Sequence, residues 1–516
     1  MDQGFPVLRS KGCRGLPAGA WGVPSFLPSF ARRLRRRAKE KKKGFLRGHP
    51  APRQRAAALC TPARWENWKA LQYGQRKLKI EHNYHGVVLP ASEIDALREL
   101  ERLLQQSGSL DAGQNIPLLQ SEEVERSEGN ISCTIANNTV IALSTRSCAL
   151  TSLPETLSNF TNLCMLDIAH NQLAALPESL GNLMQLKRIY LDGNQLTSLP
   201  ESLGHLTLLE EIQADANQLA MLPESICQLT LLEIMRFYGN QLTTLPAQIS
   251  QFKRLKDISV GGNRLTTLPD ALWGLRELRS LNIAENRLEA VSNSIDNLTH
   301  LEMLDLGHNK LTALPQSLGN LTSLTTFLYL SDNQLTELPE TLFERLEHLR
   351  YLNITDNQLT TLPETIGNLT SLKELRGYNN QLTALPESLG KLKHLQEIHM
   401  MNNLLMALPE SLGEMESLRE LHLSHNRLVA LPESIGKLIA LTTLDLRGNR
   451  LSSLPGSLGE LNSLRHLDLR ANRLVVLPAS IGDLPKLEKL DLRWNKLSSL
   501  PAWLRRLEER GCSIYL

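Results

Sequence analysis

The sequence predicts an α/β solenoid, a horseshoe of about sixteen repeats with a parallel β-sheet along its concave side. Three observations predict it. An asparagine returns at Asn171, Asn194, Asn217, Asn240, Asn263, Asn286, Asn309, Asn333, Asn357, Asn380, Asn403, Asn426, Asn449, Asn472 and Asn495, spaced by 23 residues, or by 24 at Asn309–Asn333 and Asn333–Asn357. Leucines surround each one in the order L-x-x-L-x-L-x-x-N-x-L, and aromatic residues are only 4% of the chain. Cys148 lies 23 residues before Asn171, with Leu143 and Leu150 at the matching offsets, and fills the asparagine slot of a degenerate first unit. A core made almost wholly of leucine suits one packing problem solved many times, so the 516 residues do not predict several ordinary domains.

Four zones follow in order. Residues 1–60 carry 15 Lys and Arg against Asp2 and Glu40, a net +13, which leaves about −11 on the rest of a chain whose total is +2. With no sustained periodicity, they read as a disordered basic tail. Residues 61–137 are mixed, with a helix predicted near 91–107. There Ser92 is placed to cap the start, and Ile94, Leu97, Leu100, Leu103 and Leu104 form one apolar stripe that seeks the solenoid or a partner helix. Residues 138–502 hold the repeats. Residues 503–516 read as a C-terminal cap, a helix over Trp503–Arg510 and then a final strand, with no further domain expected.

Within a repeat, each L-x-L is a short strand whose leucines point inward and whose middle residue points out, as in Leu304-Asp305-Leu306. The asparagine turns the chain and its amide satisfies buried backbone groups. Leu-Pro-Glu-Ser-Leu-Gly-Asn-Leu returns along the outside as a helical turn, proline standing where no ladder needs its missing N–H. One extra residue in Leu324–Leu330 predicts a bulge, and another falls in Leu342–Leu346. Gly377 takes a normally apolar slot and predicts a soft spot.

This repeat resembles the leucine-rich-repeat superfamily. The 23-residue length and the L-P-E-S-L-G-N-L half are similar to the Ras-suppressor and plant intracellular Ras-group class and to bacterial proteins of the same repeat type. They differ from the plant receptor class, which has G-x-I-P where this chain has Leu-Pro. The resemblance implies a non-catalytic interaction module or scaffold whose partner is a protein, such as a small GTPase or signalling protein. The alternative it leaves open is a bacterial secreted effector acting on host proteins by binding. Some similar effectors are ubiquitin ligases, but these have shorter repeats and a separate catalytic-cysteine domain, and Cys512 here lies in a short terminal stub.

Specificity then belongs to the variable strand positions. Tyr190, Tyr238, Tyr329, Tyr351 and Tyr378, together with Phe327, Arg236, Arg376, His399, Met401 and His422, are expected on the concave face, and Tyr and Arg dominate interface hot spots. Asp445, Asp468 and Asp491 run beside Arg447, Arg470 and Arg493 and are expected to neutralise one another. His399 and His422 stand one rung apart, but the next rung is Asp445, too far for one ion to span all three, so no metal and no cofactor is expected. The segment 61–137 offers Glu81, His82, His85 and Cys133 without a catalytic motif, so no enzyme and no small-molecule substrate is expected. Only the 32–43 run, Arg32 to Lys43, invites nucleic acid or acidic lipid. Seven scattered cysteines without C-x-x-C spacing, no apolar run of membrane-spanning length and no convincing signal peptide favour the cytoplasm, and non-classical secretion would leave the same signature.

Overall fold

The structure, a computed structural model, describes residues 82–121 and 130–516. The basic tail with its 32–43 run, and residues 61–81, lie outside them.

Strands β1 (His82–Tyr84) and β2 (Val87–Leu89) form a hairpin that leads into α1 (Ala91–Gln106). The helix exists because its apolar residues share one face: Ile94, Leu97, Leu100 and Leu104 are buried and Leu103 partly so. That face closes the first repeat. Asn159 Nδ2 donates to the Ser92 carbonyl (3.2 Å), Thr156 to the Glu99 carboxylate, and Ser109 Oγ to the Cys148 carbonyl (2.7 Å). Ser92 does not cap the helix. Pro90 stands at the N-cap, where its ring has no hydrogen-bonding group, and the buried Glu93 accepts the Val140 N–H at 2.9 Å. Burial pushes Glu93 up to about 7.

Next come β3 (Leu118–Gln120), β4 (Ile131–Ala136) and β5 (Thr139–Thr145). β4 and β5 are antiparallel, joined through Asn137 and Asn138, both at positive φ. From β5 onward one three-residue strand per repeat adds in parallel, from β6 (Met165–Asp167) to β20 (Lys489–Asp491), and β21 (Ser513–Tyr515) ends the sheet. Inward leucines pair rung to rung, as in Leu281↔Leu304 and Leu444↔Leu467. Among the described residues no pairing returns from β21 to β3, so the array is open.

The asparagines fasten each repeat to the one before. Asn333 is representative: its Oδ1 accepts the Leu311 N–H (3.0 Å), and its Nδ2 donates to Leu306 O of the previous repeat (3.0 Å) and Leu330 O of its own (3.1 Å). Buried backbone groups that a bending strand abandons are thereby satisfied. The residue before each of these asparagines has positive φ, even where it is His170, Glu285 or Trp494. The cost of the left-handed conformation is borne because the asparagine bonds fix the turn on both sides.

On the outside, most Leu-Pro pairs open a 3-10 turn: Pro177 is extended and its carbonyl accepts the Leu180 N–H at 3.1 Å. The glycine of L-G-N is required by close stacking. A Cβ on Gly413 would lie 2.3 Å from Ser434 O, and one on Gly181 would lie 2.4 Å from Ser202 O. With the turns already in contact there, the outer edge cannot be compressed further.

Two expectations need correction. The extra residue of Leu324–Leu330 makes no bulge: Met303↔Phe327, Leu304↔Leu328 and Asp305↔Tyr329 stay in register, and the residue is absorbed in the bend before β13 (Phe327–Tyr329). Gly377 is no soft spot in the packing. The Met400 thioether fills its slot, 2.8 Å from where a Cβ would stand, and the Gly377 N–H still reaches His399 O at 2.8 Å. At the far end, α2 (Trp503–Glu509) lays Trp503, Leu504 and Leu507 on the last repeat. Arg510 Nη2 donates to Gly482 O (2.8 Å), and β21 pairs with β20 through Leu490↔Ile514.

Candidate functional site: an aromatic and histidine strip on the concave sheet

Alternation places strand residues i and i+2 on the same outward face. On β13 this sets Phe327 beside Tyr329, rings stacked at 4.5 Å. β14 (Tyr351–Asn353) brings Tyr351 edge-on to Tyr329 at 5.5 Å. β15 (Glu374–Arg376) lays the Arg376 guanidinium over Tyr351, 5.5 Å from its centroid. β16 (Glu397–His399) and β17 (Glu420–His422) stack His399 on His422 at 4.7 Å and 8°. Five consecutive strands thus carry one strip of planar groups.

The strip is held by glutamates that the sequence reading passed over. Glu374, Glu397 and Glu420 are paired in register. Glu374 Oε1 accepts Tyr351 OH at 2.9 Å and Arg376 Nε at 2.5 Å. His399 Nε2 meets Glu397 Oε2 at 3.2 Å, and His422 Nε2 meets Glu420 Oε2 at 3.1 Å. Burial, then the bond to Glu374, raise the Tyr351 hydroxyl far above its ordinary range, and burial holds His399 below its usual value. The signal was present as Glu374-Leu-Arg376, Glu397-Ile-His399 and Glu420-Leu-His422, since residues two apart on a strand are same-face partners. Ligand atoms of Glu374, Glu397 and His399 approach within 4.8 Å of one another. The Arg376 guanidinium already stands on Glu374, so a cation of this protein's own occupies that corner.

The other expected residues fall elsewhere. Tyr190 is not exposed. Its rung partners are Asp167 and Gln213, and the ring packs with Ala142, Met165 and Ala169 so that 5% of its surface is left. Its hydroxyl reaches Glu211 Oε2 at 3.3 Å. Arg236 pairs with Asp257 at 2.7 Å. Tyr238 leans across Gly261, where a Cβ would meet its ring at 2.9 Å, and donates to Glu285 Oε1 at 2.6 Å. Tyr378 and Met401 are half-buried on the same face. Tyr378 stands two residues past Arg376, in another column, and makes no ring contact among the described residues, so Tyr329, Tyr351 and Tyr378 do not form one continuous patch.

Further along, Arg470 Nε bonds both Asp468 oxygens (2.9 and 3.0 Å) and lies 3.3 Å from Asp491, while Arg493 bonds Asp491 at 2.6 Å. Burial alone would push Asp491 up, yet the Arg493 bonds and the Arg470 charge hold it below the usual carboxylate range. In the N-terminal segment, His85 meets Asn115 (3.3 Å) on the surface while Cys133 is buried, its thiol pushed up to about 12 by burial and then by Glu93, a state that suits no nucleophile. Among the described residues no helix is long and apolar enough to cross a membrane.

Comparison with known proteins agrees with this geometry. Models described as leucine-rich repeat regions match residues 328–428 and 418–498, and leucine rich repeat models match 227–288, 277–327 and 185–206. No curated protein matches the chain. Among solved structures, a leucine-rich-repeat protein of Leptospira interrogans is 35% identical with a TM-score of 0.66, over 71% of this chain and 93% of that one. YopM from Yersinia enterocolitica is 27% identical with a TM-score of 0.53, over 85% and 80%. The Arabidopsis receptor kinase HAESA, solved with the peptide hormone IDA and a co-receptor, is 29% identical with a TM-score of 0.59, over 71% and 64%. With its asparagine ladder, its parallel strands and a relative matched over nearly that relative's whole length, the chain belongs to the leucine-rich-repeat family.

Proposed function

We propose that the protein is a non-catalytic interaction module that binds a protein partner on the concave strip formed by Phe327, Tyr329, Tyr351, Arg376, His399 and His422. The observation that carries this is the continuity of the strip. Across five neighbouring strands the Phe327, Tyr329 and Tyr351 rings meet, the Arg376 guanidinium lies over Tyr351 and the two histidines stack, and their polar atoms are held by Glu374, Glu397 and Glu420, so little side-chain freedom is left to lose on binding. Tyr238, Tyr378, Arg236 and Met401 extend the face at its margins. Rigid, half-buried aromatic groups beside a paired arginine have the composition of interface hot spots. The HAESA structure, in complex with a peptide hormone, is a family precedent for a peptide partner. The resemblance of the repeat class adds a small GTPase or signalling protein as a candidate partner, with the cytoplasm as the site of action.

Affinity capture with the full chain, followed by mass spectrometry, identifies the partner. Recapture with Phe327, Tyr329 and Tyr351 changed together to alanine tests the surface. Loss of the partner from a variant that keeps its melting temperature is the expected result, and normal capture overturns the assignment.

A further inference from the structure

Several concave carboxylates are matched by an arginine of the protein itself. Asp257 has Arg236 at 2.7 Å, Glu374 has Arg376 at 2.5 Å, Asp491 has Arg493 at 2.6 Å, and even the buried Asp167 has Arg146 at 3.7 Å. Asp305 differs. Among the described residues no cation lies within ion-pair distance of it, and its one hydrogen bond accepts the Gly307 N–H at 3.0 Å. The nearest histidine in sequence, His308, is taken by Asp332 at 2.6 Å. The register sets Asp305 directly beside Tyr329, with Phe327 stacked on Tyr329. On the other side Gly307 leaves the carboxylate open, since a Cβ there would stand 3.2 Å from Asp305 Oδ1. The neighbouring strands offer the short side chains Ser259, Asn282 and Ala284, so a long side chain can approach over them.

Resting on the reading above, we propose that the strip recognises a basic segment of its protein partner, one arginine or lysine of which lies between the Asp305 carboxylate and the Phe327–Tyr329 rings. A half-buried carboxylate without a cation gains from receiving one, and an aromatic face beside it favours the same charge. Burial pushes Asp305 up to about 6, the sign of a carboxylate short of compensation. Farther along, Glu397 and Glu420 face histidines, and burial favours the neutral form of His399, so the strip keeps acidic charge toward its far end. A phosphate backbone or an acidic headgroup would meet these carboxylates with like charge, which selects a basic polypeptide.

The probe is a fluorescein-labelled peptide alternating glycine and arginine, with a glycine–glutamate peptide as its counterpart, titrated by anisotropy against the full chain at near-physiological salt. The arginine peptide should bind and the glutamate peptide should not. Asp305→Asn should weaken binding by about tenfold or more, the usual scale for a lost charge-assisted hydrogen bond. The variant should fold, because Asn282 and Asn353 occupy the same column and accept the same backbone N–H at 3.1 Å. Glu277→Gln, an equal change of charge at an exposed residue on the turn before β11 (Ser280–Asn282), should leave binding as it was. Unchanged affinity in Asp305→Asn, an equal loss in Glu277→Gln, or preference for the glutamate peptide overturns the proposal. If the captured partner is lost with the triple alanine variant yet held by Asp305→Asn, the concave surface stands and its basic specificity falls. If neither change matters, both fall.

Discussion

The strip on β13–β17 and the ladder on β18 (Thr443–Asp445), β19 (His466–Asp468) and β20 occupy equivalent positions on identical scaffold, yet they use them differently. In the ladder, Arg470 and Arg493 spend their donors on Asp468 and Asp491, and Arg493 also lies over the Trp494 and Tyr515 rings at 5.5 and 5.3 Å. On β19 and β20 the charges face one another, whereas on β18 the expected pairing does not form: Asp445 accepts the Arg447 backbone N–H at 3.0 Å and makes no ion pair among the described residues. In the strip, charges brace the rings, and Asp305 at its margin has no cation within ion-pair distance among the described residues. The same strand slots therefore serve internal neutralisation in one stretch and an outward-facing surface in the other, and only the second has the composition of a binding site.

The comparison breaks most visibly in binding. Alanine at Phe327, Tyr329 and Tyr351 should abolish partner capture, since each hot-spot truncation typically costs about 2 kcal/mol or more. Alanine at Asp468, Arg470 and Arg493 should change affinity by less than about twofold, as expected of groups outside the hot spot. Titration calorimetry on both variants reads the difference.

Stability should not distinguish the regions. Asn333 and Asn472 make the same bonds: Leu311 and Leu451 donate to their Oδ1 atoms (3.0 and 3.1 Å), and their Nδ2 atoms reach carbonyls in two repeats. Alanine at either should cost about 2–3 kcal/mol by stranding buried backbone groups, measured by denaturant unfolding. A large inequality would mean that surface and scaffold are coupled.

Acid should act on the strip. Asp305 binds a cation only when ionised, so affinity for the arginine peptide should be full above about 6 and fall as pH drops through that value. Charge gained by His399 on acidification acts in the same direction, so Asp305→Asn should show a shallower pH dependence and not a flat one. Anisotropy between pH 7.5 and 5 measures the difference in slope. The smallest effect belongs to the ladder: Asp468→Asn should cost about 1 kcal/mol or less in thermal unfolding, because the pair is partly exposed and Arg470 retains Asp491.

The repeats, their asparagines and the inward leucines were legible because a solenoid writes its period into the chain. The self-neutralising Asp and Arg columns were legible for the same reason, at Arg470 and Arg493. Three things were not. The positive φ before each asparagine shows in sequence where the residue is glycine, as at Gly193, or asparagine, as at Asn379, while Glu285 and Trp494 carry no such mark. Tyr190 looked exposed because strand alternation fixes direction but not what packs beside a ring, and Tyr190 packs with Ala142, Met165 and Ala169. The Glu374, Glu397 and Glu420 column was overlooked because polar residues in that slot resemble solvated surface until the rings they hold are seen.

Hydroxyl-radical footprinting of the full chain with and without its captured partner tests the central claim most directly, because oxidation reads aromatic and methionine side chains one by one. Phe327, Tyr329, Tyr351 and Met401 on the concave face should lose reactivity when the partner binds, while the exposed Trp494 and Met406 keep theirs. Protection of Trp494 and Met406 with the strip residues unchanged would place recognition elsewhere on the solenoid and contradict the account.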